Sequence, residues 1–429
     1  MVDFWLPYGE SEVCLSVPGE NFQAMLRPNE TSAVSDVRVE ITQTLNKPLG
    51  TGPLTELVRR GQSVCIALSD AVGKELAGEA VAAILDRLHK AGVDQDSVSL
   101  IHSNQTLHSE STDSTKPLLG QELANKLSFI EHGPSSKDSL EVGTTPLKTH
   151  VFLNKKFAEA DIRILVDELN FHPCLGYTGG YTTVITVASS SRTIQHNHGL
   201  AVDPKSTASS TDENPCFHDA VEAGRLSQIS FTLNLVKDPT GNLVRAVSGE
   251  SETVFNEGKK LFDAIYRVGV EKFPNVVAVT PGGFPSDRDF FRALLAIENV
   301  ASLSREGSVH ILLSECREGH GSTQFLEIMN KRLSLVELKD EVRKRFTPGA
   351  YGAFLLTRAQ EKSRIICVSA MPDSIASGVF KLRTARSAED AMHMALRLGG
   401  KDARVLIVPQ GKFVVPQYTP LQGPITERS

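Results

Sequence analysis

Short runs rich in β-branched residues alternate along this chain with amphipathic helical stretches, and this alternation restricts the possible folds more than any other feature. Residues 63–68 (SVCIAL) have the composition of a buried strand, and residues 74–91 then keep apolar positions at helical spacing until Gly92. Strands that alternate with helices form parallel sheets covered by helices, so we expect an α/β fold with mainly parallel sheets. Further strand-like runs lie at 98–101, 162–166, 276–279, 309–313, 365–368 and 405–408.

The length of 429 residues is sufficient for two or three domains. Residues 230–247 alternate around a turn at 238–242 and predict a β-hairpin. Residues 257–272 predict a helix that leads to a Phe-Pro-Asn hinge at 273–275. We therefore expect an N-terminal α/β domain at 1–273, a C-terminal α/β domain at 274–411 and a C-terminal tail at 412–429.

Charge and composition exclude several classes of partner. The chain has 45 Lys and Arg against 51 Asp and Glu, so it lacks the basic excess that binds nucleic acid or anionic membranes. No apolar run approaches the roughly 18 residues of a membrane span, and the N-terminus lacks a signal-peptide pattern. Six cysteines lie far apart without a CxxC pair. We expect a cytoplasmic protein with reduced cysteines and no nucleic-acid or membrane partner.

Histidines occur in segments that follow predicted strands, where ligands bind in open α/β sheets. His108 follows the strand at 98–101, and His172 lies in a glycine-rich segment at 170–180 (NFHPCLGYTGG). Such a segment can bring backbone N–H groups to a phosphate, or it can be a tight turn that needs glycine at positive φ. Residues 195–199 (QHNHG) add two imidazoles that can bind a divalent metal ion. Together these segments favour one site for a nucleotide, a metal and an acid–base group.

Seven short motifs, in family order and over nearly the whole chain, resemble the nickel-dependent lactate racemase family. They are LPYG at 6–9, GTT at 143–145, AEAD at 158–161, H-x3-G-x-[ST]-G-G at 172–180, NHG at 197–199, GG-x-P-x-D at 282–287 and EC-x-EG-x-G at 315–321.

The resemblance implies an isomerase that inverts the 2-carbon of a 2-hydroxy acid in a cleft between two α/β domains. Its cofactor would be a nickel-pincer nucleotide, supplied by the enzymes that make it. Hydride transfer to and from this cofactor passes through a planar 2-oxo acid, while two histidines move the hydroxyl proton. By motif match, His108 and His172 are the acid–base groups and His198 is the nickel ligand.

One departure from the family pattern concerns the cofactor. The family has a lysine that links covalently to the cofactor, and Thr182 stands at that position. The resemblance then implies that the cofactor is held without a covalent bond. The residues expected to hold it are Asp70, Gly176, Thr178, Gly179, Gly180 and Thr182.

A second departure concerns the substrate. The family's substrate-binding arginine is replaced by Gly73, with Lys74 beside it, and three further polar positions are Phe291, Arg292 and Leu295. A carboxylate still needs a cation, and Arg292 is the best available because its guanidinium can bind two oxygens at once, with Lys74 as a partial replacement for the missing arginine. Because Phe291 and Leu295 favour a bulkier or more apolar side chain, we expect a main substrate other than lactate.

Two other interpretations remain open. A metal hydrolase could use His172, His196 and His198 as ligands, although no acidic residue stands nearby as a base. Alternatively, a homologue without the lysine could be a catalytically degenerate carrier of the cofactor. The presence of His108 argues against a carrier, because a carrier has no use for a proton-transfer group.

Overall fold

The computed structural model describes residues 1–103, 119, 127–132, 138–207 and 209–419. The chain divides into two compact units, both built from mainly parallel sheets and helices. Unit 1 comprises Met1–Asn29 and Ile265–Ser429, and unit 2 comprises Glu30–Ala264. The expected α/β class is confirmed. Within the described part of the chain, every helix is too short or too polar to cross a bilayer.

Unit 2 is built on a six-stranded sheet in which an antiparallel hairpin extends a parallel core. Val64–Leu68 is buried at every residue, as expected for a parallel strand that is covered on both faces. In sheet order the strands are Leu243–Gly249, Phe231–Lys237, Ile162–Glu168, Val64–Leu68, Val98–Ser103 and Ser128–His132.

Helices pack against this sheet through apolar faces. In Lys74–Lys90, Val81, Ile84 and Leu88 recur at helical spacing and lie in the same buried cluster as Ile66. The described α-helices of unit 2 are Val37–Asn46, Leu54–Leu57, Lys74–Lys90, Lys155–Glu159, Ser191–Gly199, Pro215–Leu226 and Ser251–Tyr266. Two small antiparallel pairs join Ser139–Thr144 to His150–Asn154 and Phe171–His172 to Gly176–Tyr177.

Unit 1 contains a second six-stranded sheet, and its described pairs are all parallel. In sheet order the strands are Arg383–Thr384, Ser363–Val368, Ser308–Leu313, Val276–Val279, Val405–Val408 and Phe22–Met25. The described α-helices are Phe290–Val300, Thr323–Asn330, Leu335–Lys344, Pro348–Lys362, Asp373–Ala376 and Ala388–Gly399. A hairpin joins Val2–Tyr8 to Ser11–Val17.

The expected domain boundaries differ from these units. The first 29 residues belong to unit 1, because Phe22–Met25 forms its edge strand beside Val405–Val408. The helix expected at 257–272 is Ser251–Tyr266, and Arg267–Val270 instead pairs in parallel with Val415–Tyr418. The expected tail therefore begins with a strand of unit 1. These pairings join segments far apart in the sequence, so local patterns do not reveal them.

Candidate active site

The glycine-rich loop that carries His172 is held by close backbone packing. His172 pairs with Gly176 in a two-residue antiparallel ladder, so the chain reverses tightly. Gly176 has a φ of 77°, and a Cβ there would lie 2.1 Å from the carbonyl oxygen of Ser210. Gly179 and Gly180 also have positive φ, with protein atoms within 2.7 Å of where a Cβ would lie. Only glycine fits these positions.

The N–H groups of this loop donate hydrogen bonds within the protein. The hydroxyl of Thr182 likewise donates to the carbonyl of Gly179 over 2.8 Å. The loop is therefore a tight turn in which the N–H groups of Thr178, Gly180 and Thr182 already have acceptors within the protein. The backbone pairs are Thr178 N–H to Asn170 O (2.9 Å), Gly180 N–H to Asn234 Oδ1 (3.3 Å) and Thr182 N–H to Gly179 O (3.3 Å).

His172, Cys174 and His198 come together in unit 2. One potential ligand atom of each lies within 4.8 Å of those of the other two, and Cys174 and His198 are buried. The two imidazole rings are 5.4 Å apart between centroids. Two nitrogens and one sulfur form a donor set that suits a borderline metal ion such as nickel or zinc. The sequence indicated the two histidines, whereas nothing local distinguished Cys174 from other buried cysteines.

The hydrogen bonds of His172 fix its tautomer. Its Nδ1 accepts the backbone N–H groups of Cys174 and Leu175 at 3.2 and 3.1 Å. Burial lowers the pKa of His172 to about 3, so the ring is neutral near pH 7. The proton of the neutral ring must then lie on Nε2, because Nδ1 is an acceptor. His172 is therefore set as a hydrogen-bond donor at Nε2.

His198 has the opposite arrangement. Its Nδ1 lies 2.9 Å from the side-chain oxygen of Asn197, which can only accept, so Nδ1 carries the proton. Burial first, and the neighbouring His172 second, hold the pKa of His198 well below its usual value. The neutral ring therefore has its lone pair on Nε2, the form that binds a metal ion.

Carboxylates at the ends of adjacent strands form a buried acidic group. Burial, with a smaller contribution from Asp167, raises the pKa of Asp70 to about 6. Burial also raises the pKa of Glu168 to about 7, although an ion pair with Lys237 opposes this rise. Asp167 accepts the hydroxyl of Thr183 over 2.7 Å. Asp70 therefore lies in a group that is costly to ionise.

A cavity of about 590 Å³ borders the glycine loop in unit 2, a size typical of small-ligand sites. Its lining includes Thr182 and Gly179 of the loop and Phe255 and Lys259 of the helix Ser251–Tyr266. The histidine pair does not line this cavity. Lys259 is ion-paired with Asp263 over 2.7 Å.

The other expected site residues are more dispersed. Lys74 is exposed at the start of its helix in unit 2. In unit 1, Phe291 and Leu295 are each 8% exposed, and the guanidinium of Arg292 donates to Asp289 over 3.1 Å. His108 lies outside the described residues.

His196 does not join the group of His172, Cys174 and His198. Its Nδ1 lies 2.7 Å from the hydroxyl of Thr149. The three-histidine ligand set of the hydrolase interpretation is therefore not assembled in the described structure.

Three of the motifs meet at one carboxylate in unit 1. Asp287 is fully buried, and its Oδ2 accepts the N–H groups of Gly9 over 2.7 Å and Glu315 over 3.2 Å. The N–H of Cys316 donates to the backbone carbonyl of Asp287 over 2.9 Å. These hydrogen bonds hold segments 6–9, 282–287 and 315–321 together and so attach the N-terminal hairpin to the rest of unit 1.

Comparison with known proteins gives a consistent result over nearly the whole chain. Family models of the lactate racemase N-terminal and C-terminal domains match residues 8–209 and 270–415. The lactate racemase of Thermoanaerobacterium thermosaccharolyticum is 24% identical over 434 residues, covering 97% of this chain and 99% of that protein. The lactate racemase of Lactiplantibacillus plantarum is 23% identical over 425 residues, covering 97% of this chain and 100% of that protein.

Solved structures show the same fold. The lactate racemase apoprotein from T. thermosaccharolyticum superimposes with a TM-score of 0.86 at 22% identity, covering 97% of this chain and all of that one. A Thermotoga maritima protein gives a TM-score of 0.64 at 13% identity, covering 92% of this chain and all of that one.

Replacement of Gly176 tests the close packing of the loop. Gly176→Ala adds a Cβ against the Ser210 carbonyl at positive φ, so we expect a larger loss of unfolding free energy than for Gly241→Ala. Gly241 also has positive φ, at 91°, but no atom within 4 Å of an added Cβ. The difference should be about 1–3 kcal/mol, the usual cost of overpacking. Urea unfolding measures it, and equal losses in both variants would contradict the packing argument.

Because the pKa of Asp70 is raised, replacement of its carboxyl group should increase the free energy of unfolding, and the increase should depend on pH. The folded state binds the proton of the Asp70 carboxyl more tightly than the unfolded chain does. Protonation of Asp70 therefore stabilises the fold at low pH, and this stabilisation is lost as pH rises through about 6. Asp70→Asn should therefore be more stable than the wild type at pH 8, by about 1–3 kcal/mol, and lose this advantage near pH 4. Urea unfolding of the cofactor-free protein measures both values. Asp94→Asn removes an exposed carboxylate of the same unit and serves as control; a gain for Asp70→Asn that is independent of pH would refute the interpretation.

Proposed function

The chain belongs to the lactate racemase family, and from this membership we propose that it is an isomerase that inverts the 2-carbon of a 2-hydroxy acid other than lactate. The observation that carries the proposal is the pair His172 and His198, adjacent and neutral with opposite tautomers. One ring presents a proton and the other a lone pair, so proton transfer and metal binding are divided between them. The substrate is a small molecule, and nucleic acid is not a partner.

The residues present fit the metal end of a nickel-pincer nucleotide. His198 offers an unprotonated Nε2 in a buried position, and the thiol of Cys174 lies in the same group. A bound nickel-pincer nucleotide supplies a hydride acceptor and donor, which inversion of an unactivated 2-carbon requires. We propose His198 as the protein's nickel ligand, in a cytoplasmic enzyme whose free cysteines stay reduced.

The cofactor is held without a covalent bond in this proposal, because Thr182 stands in place of the linking lysine. Its hydroxyl is engaged with Gly179. Since the amides of Thr178 and Gly180 also donate within the protein, these residues act by shaping the loop. The enzymes that make the cofactor are the proposed donors.

His172 and His108 are the proposed acid–base groups of the reaction. Because Nδ1 of His172 accepts two backbone N–H groups, this residue takes part through Nε2, which donates a hydrogen bond to the substrate oxygen while the ring is neutral. One histidine takes the hydroxyl proton when one enantiomer is oxidised, and the other, in its protonated form, returns a proton when the 2-oxo acid is reduced. The roles exchange for the opposite enantiomer.

The sequence favours Arg292 as the cation for the substrate carboxylate, but its ion pair leads us to propose Lys74 first. Within the described residues Lys74 has no ion pair, whereas Arg292 is already paired with Asp289. Arg292 is then a second cation that can bind the carboxylate only by sharing its guanidinium. Phe291 and Leu295 remain the proposed apolar contacts of a side chain larger than that of lactate.

Alanine variants of three histidines test these roles. After production together with the cofactor-making enzymes, His198→Ala should lose bound nickel, whereas His172→Ala and His108→Ala should keep it. The latter two should lose inversion of chiral 2-hydroxy acids by about 10²–10⁴-fold, the usual contribution of an acid or base. Metal analysis and polarimetry measure these outcomes. His89→Ala, which removes an exposed histidine at the end of Lys74–Lys90, is the control.

A 2-deuterated substrate tests the chemical route. Transfer of the hydride away and back keeps the deuterium in the inverted product, whereas removal of the 2-carbon proton by a base exchanges it with water. Inversion with complete loss of deuterium, or full activity of both His172→Ala and His108→Ala, would refute the proposed mechanism.

A further inference from the structure

A buried polar network lies behind His198, and none of the roles above uses it. At its centre is Asp219, 1% exposed on the helix Pro215–Leu226. Its carboxylate accepts the hydroxyl of Thr145, the hydroxyl of Thr149 over 2.7 Å and the side-chain amide of Asn197 over 2.9 Å. Thr145 is the last residue of the GTT motif at 143–145, so one structural role of that motif is its hydrogen bond to Asp219.

Asn197 connects this network to His198 through hydrogen bonds to both Asp219 and the His198 ring. Its Nδ2 donates both to Asp219 Oδ2 and to the backbone carbonyl of Cys216, each over 2.9 Å. Both partners can only accept, so the amide cannot rotate by 180° without placing oxygen against oxygen. The side-chain oxygen of Asn197 therefore faces Nδ1 of His198. The contacts of Asn197 with Asp219 and Cys216 therefore determine which of its side-chain atoms faces His198.

We propose that Asp219 is a positioning residue that, through Asn197, holds His198 in the Nδ1–H tautomer, the form whose Nε2 lone pair can bind nickel. The metal part of this inference rests on the proposed function, whereas the tautomer can be measured in the protein without cofactor. Hydrogen bonds to the second nitrogen of a ligating histidine commonly set its orientation and basicity.

Two substitutions should weaken this control. Asp219→Asn replaces a pure acceptor by an amide, which places an N–H donor against at least one of the three donors around it. Asn197 then loses one of the two acceptors that fix its amide. Thr145→Val is a milder change, because it removes one donor to Asp219 and leaves the bond between Asp219 and Asn197 in place.

NMR of ¹⁵N-histidine-labelled protein without cofactor reads the tautomer directly. His198→Gln and His172→Gln spectra assign the two rings. In the wild type we expect His198 as Nδ1–H and His172 as Nε2–H, which makes His172 an internal reference. Asp219→Asn should give His198 mixed or Nε2–H signals while His172 stays unchanged. Thr145→Val should change His198 less, and Ser248→Ala, which breaks a buried hydrogen bond to the Thr44 carbonyl elsewhere in unit 2, should not change it.

Nickel retention gives a second readout. After production with the cofactor-making enzymes, Asp219→Asn should release nickel to a chelator at a concentration about 10–100-fold lower than the wild type, the usual effect of removing such a support. Circular dichroism and thermal unfolding establish that each variant is folded. If Asp219→Asn is not, a His198 signal that changes in Thr145→Val but not in Ser248→Ala supports the inference, and a His198 signal that is unchanged in both overturns it.

The outcomes separate the inference from the proposed function. A wild-type His198 with the proton on Nε2, or an unchanged His198 tautomer in folded Asp219→Asn, would overturn the inference. If the tautomers behave as expected but the wild type binds no nickel, the positioning role stands and the proposed function fails.

Discussion

The hydrogen bonds at the first turns of the helix Pro215–Leu226 hold together the two segments that carry the site histidines. Asn214 caps this helix by accepting the N–H of Cys216 over 2.9 Å, and its amide donates to the carbonyl of Cys174 over 2.9 Å. The same helix bonds to Asn197 through Asp219 and the Cys216 carbonyl. One capped helix therefore sets the distance between the His172 loop and the His198 helix, and most of the site's geometry depends on it.

Burial lowers the pKa of both site histidines, which keeps the two neighbouring rings uncharged. Two adjacent imidazoles would repel each other if both were charged, and desolvation keeps both neutral at physiological pH. With charge removed, local hydrogen bonds decide which nitrogen carries each proton. Backbone amides decide this for His172 and a side-chain amide decides it for His198. The fold thus gives two chemically identical side chains opposite tautomers, with a proton on Nε2 of His172 and a lone pair on Nε2 of His198.

Local patterns predicted most of the framework and part of the site. The strands Val276–Val279 and Val405–Val408 have the bounds that their apolar runs indicate, and the hairpin of Phe231–Lys237 and Leu243–Gly249 forms where alternation predicts it. The place of Phe22–Met25 was not predictable, because an edge strand is defined by a partner far away in the sequence.

The same limit applies to the functional residues. His172 stands out in the sequence by its glycine-rich segment after a strand and His198 by the paired imidazoles of residues 195–199, and the structure brings the two together. Cys174 and Asp219 carry no local signal, since a buried cysteine and a helical aspartate are ordinary features. The glycines at 176, 179 and 180 left a phosphate cradle and a tight turn equally open in the sequence; the atoms that approach them show why glycine is needed there, and binding of the cofactor by this loop stays a prediction.

The central claim is that this family member holds a nickel nucleotide at His198 without a covalent bond. Its most direct test is the mass of the protein under native and denaturing conditions, with nickel analysis, after production alongside the cofactor-making enzymes. We expect nickel and added mass in the native protein and the bare chain mass after denaturation. A persistent adduct after denaturation would contradict noncovalent retention, and a native protein without nickel or added mass would contradict the assignment of the site.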